Sequence, residues 1–210
     1  METIVYLIRH SKKLEKEYIN NDLNDENYQV TREKIILSKE GEKRAEELCN
    51  IKELQNVDVI YSSNYTRAIQ TAKYLSEKKK IMINVDSRFG ERKHGIFKEK
   101  ITLKEYYEDN YKNEEGESPI EVKKRTYDAL MDILNKNKGK NIAIFSHAGA
   151  ITFLLTNWCK LEYIGEDKRK TLSLDGKIIF DKAFYAPEVF KLVFDEDNNL
   201  KEIKNVDIII

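Results

Sequence analysis

Proline is nearly absent from this chain, with 2 residues in 210, and glycine is sparse at 8. No Pro/Gly-rich stretch, internal repeat or low-complexity block is available as a linker. The length suits one sizeable core, so residues 1–210 are expected to form a single domain. Cysteine is equally scarce. Cys49 and Cys159 are the only two, which excludes a disulfide framework and predicts free core thiols in a reducing, cytoplasmic setting. No Cys/His cluster occurs at ligand spacing, so no metal is expected. Net charge is missing too: 37 Lys and Arg face 37 Asp and Glu. Without a basic excess to neutralise a nucleic-acid backbone, nucleic acid is not expected as a partner. No apolar run approaches the ~20 residues that span a bilayer, and Ile4 to Ile8 are too short and too poorly flanked for a signal peptide, so no membrane association is expected. The sequence sets no oligomeric state, although the apolar end "VDIII" could pair as an edge strand or meet a partner.

What the chain does have is alternation. "TIVYLI" is a short run rich in β-branched residues, the pattern of a strand buried on both faces, and it ends at Arg9. Ser11 to Leu37 is polar, with little apolar periodicity, and reads as a long surface excursion. Ser38 can cap a helix from Lys39 to about Lys52, with Ala45 and Leu48 facing inward. "VDVIYSS" is a second strand. A helix capped by Asn64 follows, with Ala68, Ala72 and Leu75 on one side and Arg67 in its first turn. "IMINVD" reads as a third strand and "RFGERKHGIF" as an irregular segment. Ser118, Pro119 and Glu121 spell a capping box, opening a helix that runs to near Gly139. "NIAIFSHAGAI" is a fourth strand that breaks at Ser146 and His147, with a helix opening after Gly149. "KIIFDKAFY" and "VFKLVFDEDNNLKEI" read as late strands, the second folding about Asp197 to Asn199. Strands alternating with helices predict an α/β protein, a three-layer α/β/α sandwich.

In such folds ligands sit beyond the C-terminal ends of the strands. His10, the Ser62–Ser63 exit toward Arg67, Glu91 and His147 all follow predicted strand ends. Singly, each has a bland explanation: a solvated terminus, a surface arginine, a loop glutamate, a satisfied core histidine.

Together they acquire a pattern, because the sequence resembles the histidine phosphatase superfamily, the phosphoglycerate mutase-like proteins, over nearly its whole length. The family's opening Arg-His-Gly appears as "IRHS". Its Leu-Ser/Thr helix signature with Gly and Ala is matched by "LSKEGEKRA", and its Ser-Ser-x-x-x-Arg-Ala-x-Gln-Thr-Ala by "SSNYTRAIQTA". "DSRFGE", "GESPIEVKKR" and "FSHAGAI" match three further blocks in the family's order. The resemblance implies a mostly parallel central sheet and the phosphatase branch. It also implies a two-step transfer through a phosphohistidine on His10, with Glu91 as acid and then base. Arg9, Arg67 and His147 would hold the phosphoryl group, needing neither metal nor cofactor. Arginine suits this duty because its planar, permanently charged fork can hold two phosphate oxygens at once. The implied partner is a small phosphorylated substrate, with a phosphoprotein left open.

The departures matter as well. Ser11 stands where the family has Gly and could contact the ligand differently or add a hydroxyl. Lys12 and Lys13 are read as solvated loop charges. "GERKHG" partly resembles a mutase segment, yet the mutases' substrate-recognition insertion is missing, which favours hydrolysis; a phosphoglycerate mutase and a silent phospholigand-binding protein are the alternatives. A lone loop histidine such as His94 usually faces solvent, so a substrate contact is not its default. Arg88, Arg92 and Lys93 would oppose a raised Glu91 pKa, while burial would favour one. Substrate choice is expected to lie in the 12–37 and 95–116 loops, where the tyrosines near residue 106 are read as covering the core.

Overall fold

The computed structural model describes residues 1–20, 22, 25–96, 102–164 and 169–208. In chain order they form β1 (Thr3–Arg9), α1 (Tyr28–Lys34), α2 (Lys39–Leu48), β2 (Val59–Ser62), α3 (Thr66–Lys79), β3 (Ile83–Val85), α4 (Leu103–Tyr106) and α5 (Pro119–Lys136). They continue with β4 (Asn141–Ser146), α6 (Ala148–Leu155), β5 (Lys160–Ile164), β6 (Lys170–Leu174), β7 (Lys177–Lys182), β8 (Glu188–Phe194) and β9 (Leu200–Val206).

The central sheet has six strands in the order β3-β2-β4-β1-β8-β9. Its first four strands pair in parallel, and β8 runs antiparallel to both β1 and β9. Residues of β1 alternate between two cores, as a pleated strand buried on both faces must. Val5 and Leu7 join Leu130, Ile133 and Leu134 of α5 and Ile151 and Leu154 of α6. Tyr6 and Ile8 join Leu48 of α2 and Ala68, Ala72 and Leu75 of α3. Helices on both faces make the expected α/β/α sandwich.

Several boundaries differ from the sequence reading. α2 ends at Leu48, ahead of the expected Lys52. α3 is capped at Tyr65 without a side-chain bond, because the Asn64 side chain turns instead toward Glu33. α6 opens at Ala148 with His147 as its N-cap, so Gly149 lies inside the first turn. The Ser11–Leu37 segment contains α1 and is no simple surface loop, since Ser11, Ile35 and Leu37 are buried. β5, β6 and β7 form a separate three-stranded antiparallel sheet; β5 (KLEYI) and β6 (KTLSL) are five-residue strands, too short and too polar for a buried-strand signal. Its Leu172 and Phe180 pack on the core beneath α5 and α6. β9 is an edge strand that includes Val206, whereas residues 21 and 23–24 of the expected 12–37 loop, 97–101 of the expected 95–116 loop and 209–210 of the apolar end lie outside the described residues. Cys49 and Cys159 are buried and unpaired. Among the described residues no helix is long and apolar enough to cross a membrane.

Candidate active site

Strand register brings the sequence-predicted residues to one end of the sheet. Arg9 lies opposite Ser146 in the parallel β1/β4 pair, and Ser62 opposite Phe145 in β2/β4. Backbone bonds continue each ladder past the strand ends, from His10 N to Ser146 O at 2.9 Å and from Ser63 N to Phe145 O at 2.9 Å. His10, Ser63 and His147 therefore leave the sheet side by side. Glu91 arrives after a 3-10 turn, Ser87–Phe89, that Ser146 Oγ anchors through Phe89 O at 2.7 Å.

The hydrogen bonds define both imidazoles. An arginine N–H can only donate, and Arg67 Nε reaches His10 Nε2 at 3.0 Å. His10 Nε2 therefore carries the lone pair, and Nδ1–H donates to Ser11 O at 2.7 Å. Arg67 Nη2 meets His147 Nδ1 at 3.1 Å, so His147 Nε2–H donates to Ser63 Oγ at 2.8 Å. Arg67 Nη1 donates to Arg32 O at 2.7 Å, so one guanidinium joins both histidines to the helix α1 segment. The imidazole centres are 5.1 Å apart. Burial, then the charge of Arg67, holds both rings well below the ordinary histidine pKa and keeps them neutral. Arg67 itself is drawn down to about 10 by burial, which still leaves it cationic.

Glu91 occupies the amide-rich start of α6. Its Oε1 accepts from Ala150 N and Arg92 N, both at 3.0 Å, and its Oε2 from Gly149 N at 3.2 Å. Burial pushes this carboxyl up, but the Arg92 amide, the Arg67 charge and the Gly149 amide outweigh it and leave the pKa below the usual value. The expected opposition from neighbouring cationic side chains thus has a different source. Arg88 pairs with Asp86 and Asp132, and Arg92 donates through its side chain to the carbonyls of Glu117, Tyr106 and Tyr111. The approach of Glu91 requires a glycine at 149, because a Cβ there would lie 2.4 Å from Glu91 Oε1. A cavity of about 200 Å³ opens beside Glu91, lined in part by Tyr65, Lys93, Glu117 and Arg125.

Arg9 is fixed by Phe184 O and Tyr185 O, at 2.6 and 2.9 Å from Nη1. Its Nε is buried with no hydrogen-bond partner. Ser11 is fully buried; its Oγ donates to Gly41 O at 2.7 Å and its amide to Thr71 Oγ1 at 3.0 Å. Its hydroxyl therefore serves the packing of α2, and its carbonyl sets the His10 tautomer. Gly41, the glycine of "LSKEGEKRA", is required by the same contact: a Cβ would lie 1.9 Å from Lys12 O.

Lys12 is an exposed partner of Glu40 at 2.6 Å, as a solvated lysine should be. Lys13 is different. It is half-buried, and burial together with Arg67 and Arg32 lowers it to about 8, so it adds to the positive field of the site. His94 does not face open solvent either. It stacks on Tyr106 at 5.6 Å, and burial followed by Arg32 brings it to about 4. Tyr106 and Tyr107 pack against Val122, Ala150 and Phe153, which agrees with their reading as core cover. Sequence reasoning missed Ser63 as the partner of His147, Arg32 as the brace of Arg67, and Lys170, a buried lysine of β6. Ser63 had a signal, the second serine of "SSNYTRAIQTA"; the other two had none. Among the described residues no group of three or more His, Cys, Asp or Glu side chains could hold a metal.

Solved structures share this architecture at low identity. A mycobacterial glucosyl-3-phosphoglycerate phosphatase is 16% identical with a TM-score of 0.70, covering 98% of this chain and 97% of that one. A phosphoserine phosphatase from Entamoeba histolytica is 17% identical, with a TM-score of 0.59 and 96% of each chain covered. A phosphoglycerate mutase from Bacillus anthracis is 17% identical, with a TM-score of 0.64, over 98% of this chain and 92% of that one. At these identities the likeness establishes the fold. No curated protein sequence matches the chain. The profile of the histidine phosphatase superfamily (branch 1) matches residues 5–171, and with that match over most of its length the chain belongs to this superfamily, whose members act on phosphate esters.

Proposed function

We propose that residues 1–210 form one cytoplasmic domain that hydrolyses phosphomonoesters through a phosphohistidine on His10, without metal or cofactor. The observation that carries this reading is the His10 tautomer. With Nδ1–H donated to Ser11 O, Nε2 keeps the lone pair of the nucleophile, held in the resting site by the Arg67 Nε–H, and it sits among the cations Arg67, Arg9, Lys13 and Arg32. Nε2 attacks phosphorus as the P–O bond to the leaving alcohol breaks, and Glu91 gives its proton to the departing oxygen. Water then attacks the phosphohistidine as Glu91 takes the proton back, the P–N bond breaks and phosphate leaves.

Two rearrangements accompany substrate binding. Arg67 transfers its Nε–H from His10 Nε2 to a phosphoryl oxygen, which frees the lone pair. His147 gives its Nε2 proton to solvent and takes one up from solvent at Nδ1, the Ser63 hydroxyl rotating to donate to the bared Nε2, so that His147 Nδ1–H becomes a phosphate donor. Arg9 supplies its unpartnered Nε–H. Spreading negative charge over the equatorial oxygens in a loose transition state then strengthens each contact, and this is where the acceleration originates. Glu91 is ionised in its amide cradle, so it acquires its proton together with the substrate dianion, whose charge raises the carboxyl pKa.

Hydrolysis is favoured over mutase chemistry because Arg92, in the segment resembling the mutases, is committed through its side chain to the carbonyls of Glu117 and Tyr111. The test is Glu91→Gln with labelled substrate and an alkaline quench. Turnover of an alkyl phosphate should fall roughly 10²–10⁴-fold, while vanadate binding stays near wild type and label accumulates on His10 of the wild-type protein. Unlabelled protein during active turnover would remove the covalent mechanism, and absence of turnover with intact phosphate binding would identify a silent binding protein.

A further inference from the structure

Lys170 is a buried cation that the reaction above leaves unused. It is 5% exposed, projecting from β6 of the small sheet. An ammonium has three protons to donate. Among the described residues Lys170 Nζ makes one hydrogen bond, to Thr152 Oγ1 at 3.0 Å, and that hydroxyl already donates to Ala148 O at 2.7 Å. The rings of Phe184 and Tyr107 lie 4.9 and 5.4 Å from Nζ. Two π-faces and one neutral oxygen offset only part of the cost of burying a charge. A position serving the core alone would be better filled by Met or Leu. Burial lowers the Lys170 pKa to about 8, where the cation still predominates at neutral pH.

Its surroundings connect it to the site on two sides. Phe184, whose ring faces the ammonium, also gives its carbonyl to Arg9. Thr152 stands one turn along α6 from the Gly149 and Ala150 amides that hold Glu91. Glu91 and Arg9 both act electrostatically on Lys170. Glu91, which accepts from three backbone amides, makes no ion pair with Lys170.

We propose that Lys170 receives a second anionic group of the substrate, a carboxylate or a second phosphate carried on the leaving group, so that the enzyme selects phosphorylated acids or bisphosphates over neutral phosphomonoesters. The inference rests on the phosphomonoesterase reading. A neutral leaving group would leave the ammonium with Thr152 Oγ1 and two rings as its partners and no counter-ion, whereas an anion there completes its hydrogen bonds in a place where water is scarce and the pairing is strong.

Matched substrates test it. Wild type is expected to favour 3-phosphoglycerate over glycerol 3-phosphate, or fructose 1,6-bisphosphate over fructose 6-phosphate, by at least tenfold in kcat/KM. The pair with the larger ratio tells carboxylate from phosphate. Lys170→Met should reduce that ratio at least tenfold, mainly through KM, and Lys170→Gln replaces it if the Met variant does not fold. An unchanged ratio in the folded variant, or no preference for either anion in wild type, overturns the proposal. Calorimetric binding of the same pairs to His10→Ala, with and without the Lys170 substitution, reads the subsite without turnover. If wild type hydrolyses nothing, not even p-nitrophenyl phosphate, yet this binding preference exists and is lost with Lys170, the hydrolase reading fails and the anion subsite stands.

Discussion

Replacing Gly149 by alanine places a methyl group against the carboxylate assigned as acid and base. The new Cβ would lie 2.4 Å from Glu91 Oε1, and restoring an ordinary contact of 3.4 Å requires the oxygen to retreat by about 1 Å (3.4 − 2.4). Glu91 cannot retreat without lengthening its bonds from Gly149 N and Ala150 N, at 3.2 and 3.0 Å. Losing one hydrogen bond to a charged group costs about 1.5–3 kcal/mol, and the Gly-to-Ala change in a helix returns about 0.5–1 kcal/mol. The fold should lose ~1–2 kcal/mol, roughly 2–8 °C in Tm for a chain of this size. Catalysis should lose more, because a displacement of about 1 Å costs on the order of 10²-fold. That is about 2.7 kcal/mol in the barrier. The assay compares glycerol 3-phosphate with p-nitrophenyl phosphate in stopped flow. Proton donation matters for the alkoxide and hardly for p-nitrophenolate, so phosphohistidine formation should slow about 10²-fold for the first and much less for the second. Gly149→Ala that keeps kcat/KM for the alkyl phosphate within threefold of wild type, at full folding, would refute the placement of Glu91 as the acid.

Acid sensitivity of the fold follows from the histidines. All three, His10, His94 and His147, have pKa values lowered in the folded state. The unfolded chain binds protons that the folded one refuses, so their contribution is full above about pH 6.5 and is lost as pH falls toward the depressed folded values. Urea midpoints should drop from pH 7.5 to 5.5, with a limiting slope of about 1.4 kcal/mol per pH unit for each histidine; a flat profile would contradict neutral burial. Activity should survive exhaustive treatment with EDTA, because Arg9 and Arg67 supply the charge that a metal would bring and neutral His147 adds a hydrogen-bond donor. Loss of turnover restored by one divalent ion would overturn the metal-free mechanism.

The sequence by itself determined the layered sheet and the identity of the cluster. Buried-strand runs such as "TIVYLI" and "NIAIFS" and the Ser118 capping box report local preferences that survive folding, because each element satisfies its own period and its own end. Once those strands pair in parallel, their C-terminal ends must bring His10, Ser63 and His147 together. What only the tertiary structure decided is how the side chains there are charged and aimed. The Ser11 carbonyl fixes the His10 proton, the α6 amides hold Glu91 ionised, and Arg67 bridges both histidines, each through atoms distant in sequence. Lys170 and Arg32 were invisible for the same reason. A lysine in "KTLSL" reads as surface charge until another layer closes over it, and the half-buried Arg32 of "TREK" braces Arg67 through a backbone carbonyl, since burial and contacts between layers are properties of the packed molecule and not of any local stretch of chain.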